Sequence, residues 1–139
     1  MEIEFTSQIA TTREQSARLI ALGIKKETAD MYYSCNIICA KPYHKVVEFM
    51  NGCVPEDIFP AWSLHRLIEM MPMSLAEDKR YHECWDLNVT PIAVIYRNQD
   101  EEDKWIGECM GRGLYNNLID CIEWLIKEGY FNKEFLEEE

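Results

Sequence analysis

The sequence predicts an α+β fold in which a mostly antiparallel sheet of about four to five strands packs against three helices as a single pair of layers. Three observations support this prediction. Apolar residues recur at helical spacing in three segments, β-favouring runs lie between them, and a charged loop at 98–103 joins two of these runs. A chain of 139 residues fits one domain, 1–139, whose acidic tail at 132–139 we expect to fray.

The first helix is predicted to begin at Thr11 or Thr12. Thr11 with Glu14, and Thr12 with Gln15, have the spacing of a capping box, in which two side chains satisfy free backbone N–H groups reciprocally. Apolar residues follow at helical spacing, and Gly23 then suits the left-handed position just past a helix end.

Two strands are predicted in the next segment. Residues 31–43 are rich in aromatic and β-branched side chains, which favour a strand. Residues 46–50 form a second candidate strand, because Asn51 and Gly52 behind it are a turn signal. Residues 54–59 are predicted to be a loop.

Residues 60–72 predict a helix with its own start and stop. Ser63 can cap a helix that begins at the next residue, and Pro72 disfavours helical backbone at the residue before it. Four apolar residues share one face of this helix: Leu64, Leu67, Ile68 and Met71.

The second half of the chain predicts a hairpin followed by the longest helix. Residues 81–87 are a candidate strand, and 90–97 form a dense β-favouring run. Residues 104–110 return after the charged loop and therefore pair antiparallel with that run. The last helix runs from about 114 to 128, and Gly129 follows it.

The charge of the chain disfavours nucleic-acid binding. Its formal net charge is −11 at pH 7, and the acidic excess lies mainly after residue 59. Residues 60–111 carry five basic and ten acidic side chains, and residues 112–139 carry three and seven. Such a surface repels a phosphate backbone, so we predict no nucleic-acid partner.

Nothing in the sequence predicts a membrane segment or an export signal. No stretch approaches the roughly 18 apolar residues of a membrane span. Residues 1–5 lack the basic and apolar regions of a signal peptide. We therefore expect a cytoplasmic protein whose six cysteines are reduced.

Cysteine and histidine spacing predicts no metal site, and no cofactor motif accompanies it. Cys35 and Cys39 on one strand would lie about 13 Å apart, which is too far to share a zinc ion with His44. His82 and Cys84 form a His-x-Cys pair, but no second pair at zinc-site spacing accompanies it.

No catalytic residue is predicted. A nucleophilic Cys84 with His65 or His44 is formally available, but no motif around a catalytic cysteine joins them. A small thiol-dependent enzyme or hydrolase that uses Cys84 with a histidine is the alternative function.

Four side chains are candidate contacts for a partner. The apolar face of the neighbouring helix is assigned to the core, and this face does not include Trp62, His65 or Arg66. Trp124 lies beside the polar stripe of the last helix, where a tryptophan either anchors a partner or packs under a loop.

Three blocks of the chain stand out as a set: TREQSARLI at 12–20 with ETADM at 27–31, PAWSLHRLIEMMP at 60–72, and IEWLIKEGY at 122–130. Together they resemble a family of small uncharacterised proteins from prophage and mobile-element regions of intestinal anaerobic bacteria. The resemblance implies a bacterial, cytoplasmic, accessory protein of a mobile element. It carries no catalytic or binding residue with it.

These observations predict a non-enzymatic protein-interaction module. It would act as an accessory, inhibitor or immunity-type protein that engages a protein partner through its acidic surface. A basic partner is the sharper form of this hypothesis, and it requires binding that weakens in high salt. A homodimer is a further alternative.

Overall fold

The structure is a computed structural model that describes residues 8–76 and 84–138. The α+β class is confirmed, but the strands predicted as one sheet form two antiparallel sheets, of three and four strands. The chain, predicted as one domain, divides into two compact units at 1–66 and 67–139. We call them the N-terminal unit and the C-terminal unit.

The N-terminal unit contains a three-stranded sheet in the order β2-β1-β3, with β1 antiparallel to both neighbours. A 3-10 turn at Lys26–Thr28 precedes β1, and the unit boundary falls inside α3. The helices and strands are α1 (Arg13–Ala21), β1 (Met31–Ser34), β2 (Ile37–Cys39), α2 (Tyr43–Phe49), β3 (Ile58–Ala61) and α3 (Leu64–Met70).

Helix α1 begins with the capping box that its sequence predicts, with Thr12 as the cap. The Thr12 Oγ1 atom accepts a hydrogen bond from the Gln15 backbone N–H at 3.1 Å. The Gln15 Oε1 atom in turn accepts one from the Thr12 N–H at 3.0 Å. Two N–H groups at the helix start are thereby satisfied, which defines where α1 begins.

The prediction of a strand at 46–50 is wrong, because this segment belongs to α2. The apolar residues of 43–50 recur at helical spacing, and Tyr43 is buried. The Tyr43 N–H donates to the Ala29 carbonyl at 3.1 Å, which ties the helix start to the preceding 3-10 turn. Asn51 and Gly52 both have positive φ and end a helix here rather than closing a hairpin.

The predicted loop at 54–59 also needs correction, because its last two residues enter β3. The strand contains Pro60, which lacks an N–H and is normally confined to sheet edges. Since β3 is an edge strand, the missing donor costs no interior hydrogen bond. Pro60 lies opposite Tyr32 in the register with β1.

The core of the N-terminal unit is organised around Trp62, whose side chain is fully buried. Its Nε1 donates to the Thr28 hydroxyl at 3.0 Å, and its backbone N–H donates to the Thr11 hydroxyl at 3.0 Å. The Thr11 hydroxyl also contacts the Ser16 hydroxyl at 2.7 Å. The buried polar groups thus satisfy one another, as a stable core requires.

The predicted cap of α3 is confirmed. The Ser63 Oγ atom accepts a hydrogen bond from the Arg66 N–H at 3.1 Å. The same hydroxyl donates to Asp30 Oδ2 at 2.5 Å, and the Ser63 N–H donates to Asp30 Oδ1 at 2.9 Å. The Asp30 carboxylate therefore holds the capping serine in position.

The C-terminal unit contains a four-stranded antiparallel sheet in the order β4-β5-β6-β7. The predicted hairpin is confirmed as β6 and β7, and the predicted last helix as α4. The candidate strand at 81–87 begins outside the described residues, which resume at Cys84. The helices and strands are β4 (Ser74–Ala76), β5 (Cys84–Val89), β6 (Ala93–Asn98), β7 (Trp105–Met110) and α4 (Leu114–Glu128), before a 3-10 turn at Lys133–Phe135.

Helix α4 packs on β6 and β7 and buries seven of its side chains. Val94 and Tyr96 of β6 are fully buried on the same side. The helix ends at Gly129, which has φ of 79° in the left-handed region. No helix within 8–76 or 84–138 is long and apolar enough to cross a bilayer.

Candidate functional site

Trp62 does not lie on the surface, so the prediction that it contacts a partner is wrong for this fold. Its exposed fraction is 0%. Burying both its ring and its Nε1–H, which bonds to Thr28, makes it a core residue.

His65 and Arg66 lie in the first turn of α3, in the N-terminal unit. The His65 side chain is exposed, and Arg66 is half-buried. The Arg66 Nε donates to the Thr28 carbonyl at 2.8 Å, so this guanidinium supports the end of the 3-10 turn. A partner contact at these two residues stays a prediction.

Trp124 is half-buried against its own unit. Its ring centroid lies 6.1 Å from that of Tyr96 and 5.8 Å from that of Tyr130. Gly107 of β7 lies directly under the indole, and a Cβ atom there would approach ring carbons to 2.8 Å. This packing accounts for Trp124 without a partner.

The exposed tryptophan is Trp105, at the start of β7, and its exposed fraction is 45%. It lies opposite Arg97 of β6, and Met110 at the other end of β7 lies opposite Ala93. Side chains alternate along a strand, and Val94 and Tyr96 face α4. Arg97, Ala93 and their partners therefore lie on the sheet face away from α4.

We call this surface the outer sheet face and define it by six residues: Asp86, Ala93, Ile95, Arg97, Trp105 and Met110. Met110 is 54% exposed, and Ile92, just before β6, is 72% exposed. Exposed apolar side chains grouped on one surface are typical of interaction sites.

Polar contacts fix the geometry of this face. The Trp105 Nε1–H donates to Glu108 Oε2 at 2.5 Å, which holds the indole along β7. Asp86 Oδ1 accepts from the Gln99 side chain at 2.9 Å. Arg97 lies between Asp86 and Trp105 on the neighbouring strands, and within the described residues its buried Nε has no hydrogen-bond acceptor.

The acidic loop at 100–103 lies at the tip of the β6–β7 hairpin, next to Trp105. Asn98 Oδ1 accepts from the N–H groups of Asp100 and Glu101, both at 2.9 Å, so the loop begins as an Asx turn. Lys104 Nζ lies 3.4 Å from Glu101 Oε2. The side chains of the loop are exposed and place negative charge beside the outer sheet face.

The alternative enzyme requires a histidine beside Cys84. Cys84 is half-buried in β5 of the C-terminal unit, whereas His44 and His65 belong to the N-terminal unit. His82 lies outside the described residues. Within 8–76 and 84–138 no group of three His, Cys, Asp or Glu side chains is placed to hold a metal ion.

Two other cysteines have clear hydrogen-bond environments. The Cys35 thiol donates to Asp57 Oδ2 at 3.4 Å, and this contact raises the pKa of Cys35. In the C-terminal unit, a hydrogen bond with Cys109, followed by burial, raises the pKa of the Cys121 thiol. Both effects disfavour the thiolate and thus lower the nucleophilicity of these side chains.

Comparison with known proteins identifies no relative: no family model, no curated protein and no solved structure matches this chain. One feature of the sequence indicates the exposure of Trp105. Trp105 follows the charged loop directly, so it starts a strand at the solvent end of a hairpin. A tryptophan at that position is less enclosed than one in the middle of a strand or helix.

Proposed function

We propose that this protein is a non-enzymatic protein-interaction module that engages a basic protein partner through the outer sheet face. This proposal rests mainly on the exposure of Trp105 beside the acidic loop at 100–103. Tryptophan is enriched among the residues that dominate binding energy at the centre of protein interfaces, and polar groups are typical of the rim around that centre.

The distribution of charge between the units supports a basic partner. Residues 1–66 carry 7 basic and 8 acidic side chains, whereas residues 67–139 carry 7 and 17. The C-terminal unit therefore has a net charge of −10 and the N-terminal unit −1. Complementary charge accelerates association and selects against acidic competitors.

The resemblance of the three sequence blocks suggests the biological setting. On that basis the module would be an accessory, inhibitor or immunity-type protein of a bacterial mobile element, acting in the cytoplasm. The basic partner would then be a host protein or another protein of the element.

The test is affinity capture from the native host with tagged wild-type protein and two variants. Trp105→Ala removes the aromatic anchor, and we expect about thirtyfold weaker binding, since such anchors contribute about 2 kcal/mol or more. The second variant combines Asp100→Asn, Glu102→Gln and Asp103→Asn. It leaves the contact between Glu101 and Lys104 in place.

A matched control separates a local effect from a loss of net charge. The triple variant Glu134→Gln, Glu137→Gln and Glu138→Gln removes the same charge from the tail of the same unit. We expect it to retain the partner. We also expect wild-type binding to weaken when NaCl rises from about 50 mM to about 500 mM.

Two results would count against the proposal. One is a captured partner whose recovery is equal for the wild type, Trp105→Ala and the acidic-loop variant. The other is a partner that binds equally well at low and high salt.

A further inference from the structure

The N-terminal unit contains a groove between α2 and one face of its sheet, with a volume of about 520 Å³. Ligand pockets in proteins typically measure about 300–1,000 Å³. We call it the α2 groove and define it by its lining residues: Tyr32, Ser34, Cys39, Lys41, Lys45, Val46, Phe49, Met50 and Ile58.

The floor of the α2 groove is one face of the three-stranded sheet. Tyr32 and Ser34 are two residues apart on β1 and therefore point to the same side. Cys39 lies opposite Tyr32, and Ile58 lies opposite Ser34, so both share that side. All four side chains are half-buried, so the described residues 8–76 and 84–138 leave part of this face open.

The wall of the groove is α2, which is anchored at its first residue. Tyr43 is buried, and its N–H is bonded to Ala29, so the start of the helix is held close to the unit. Val46 and Met50 line the groove one and two turns later and are half-buried. Phe49 is 86% exposed at the rim, an arrangement that leaves a large apolar ring in water.

The charged side chains that line the α2 groove are two lysines. Lys41 precedes α2 and is exposed, and Lys45 lies on the helix. The acidic group beside them is Glu48, whose Oε2 lies 3.8 Å from Lys45 Nζ. Both of these side chains are about two-thirds exposed, so the pair neutralises the lysine only weakly.

Three neutral polar groups lie on the floor, and each can donate or accept a hydrogen bond: the hydroxyls of Tyr32 and Ser34 and the thiol of Cys39. Burial, followed by a hydrogen bond with Cys39, raises the pKa of Tyr32. The groove therefore combines an apolar lining with two positively charged side chains. The two lysines attract an anionic head group and repel a cationic one.

We propose that the α2 groove binds a small anionic amphiphile, such as a medium-chain monocarboxylate. Its apolar part would pack against Val46, Phe49 and Met50, and its carboxylate would face Lys41 and Lys45. Charge complementarity selects this occupant, because the charged side chains that line this apolar cavity are both lysines. This site is independent of the outer sheet face.

The first test compares two probes with the same heptyl tail by isothermal titration calorimetry: octanoate and heptyltrimethylammonium. Both place the same apolar tail in the groove, and they differ in the sign of the head group. We expect octanoate to bind saturably, with about tenfold or greater preference over the cation. Equal affinity for the two probes would contradict the proposal.

Two groove variants and one control variant show whether octanoate binds at the α2 groove. Phe49→Ala changes a side chain that is already exposed, so we expect the fold to survive and octanoate affinity to fall about fivefold. Lys41→Gln with Lys45→Gln should weaken octanoate about tenfold and leave the cation unaffected or tighter. Lys25→Gln with Lys26→Gln makes the same charge change outside the groove and should have no effect.

Alkylation of Cys39 supplies a second measurement. Iodoacetamide labelling followed by mass spectrometry should show that octanoate slows labelling of Cys39 but not of the exposed Cys53. The proposal fails if octanoate shows no saturable binding up to about 10 mM, or if it protects both thiols equally. Trp105→Ala should keep full octanoate affinity, so failure here is distinguishable from failure of the proposed partner site.

Discussion

The two units of this chain carry equal numbers of basic side chains but very different numbers of acidic ones. The nearly neutral N-terminal unit leaves an apolar groove lined by Lys41 and Lys45. The C-terminal unit, with its large acidic excess, leaves an aromatic side chain beside an acidic loop. The two surfaces are therefore complementary to opposite charges.

The cores of the two units also differ in the interactions that hold their buried side chains together. The N-terminal core joins buried Trp62 to Thr28 and Thr11 through hydrogen bonds. In the C-terminal unit, the buried residues of α4 are mainly aliphatic and pack on one side of a four-stranded sheet. A tryptophan can therefore either hold a polar core together or remain on a surface, depending on the residues packed around it.

The largest expected effect tests that contrast between tryptophans. Trp62→Ala should destabilise the protein by about 3–5 kcal/mol, because it removes a fully buried ring and leaves the Thr28 hydroxyl without its donor. Trp105→Ala should change stability by less than about 1 kcal/mol. Urea denaturation followed by circular dichroism measures both. Similar losses of stability would show that Trp105 is structural.

The second prediction concerns the packing of Trp124 against Gly107 in the C-terminal unit. Gly107→Ala should cost about 2–3 kcal/mol, since a Cβ would lie 2.8 Å from the Trp124 ring at a φ of +66°. Gly111→Ala is the matched control, because Gly111 has φ of +84° but open space around it, and it should cost about 1 kcal/mol. Thermal denaturation measures the loss of stability in both variants. Equal losses would show that close packing against the Trp124 ring makes no contribution.

The smallest expected effect concerns the cap of α3. Ser63→Ala should cost about 1 kcal/mol, because the Arg66 N–H and Asp30 both lose a hydrogen-bond partner. Ser63→Thr keeps the hydroxyl and should retain most of the stability. Urea denaturation measures the difference, and an equal loss in both variants would show that the hydroxyl is not what stabilises this site.

Local signals in the sequence predicted several elements correctly. The Thr12 capping box, the Ser63 cap and Gly129 after α4 define helix ends through contacts within a few residues. The β6–β7 hairpin was predicted because its two strands are separated by a short charged loop. These features depend on neighbours in the chain, so the sequence alone contains the information.

Long-range pairing explains the incorrect predictions. Residues 58–61 form a strand because β1 offers its free edge, and only that pairing makes Pro60 acceptable. Residues 46–50 are helical because Tyr43 can be buried beside the preceding 3-10 turn. A run of two valines by itself favours a strand, so these contacts override the local preference.

The candidate sites show the same division. The acidic excess after residue 59 and the unusual number of tryptophans follow from the sequence. The exposure of Trp105, the burial of Trp62 and the placement of Lys41 and Lys45 around one cavity do not. Burial depends on which distant elements pack together.

The sequence alone indicates the α+β class, the capped helices, the β6–β7 hairpin and the excess of negative charge. Tertiary packing is needed to explain why the strands form two sheets, which tryptophan reaches solvent, and why α2 and the β2-β1-β3 sheet leave a groove between them. The two sets of features differ in range, because caps, turns and charge act within a few residues, whereas sheets, cores and cavities arise from contacts between distant segments.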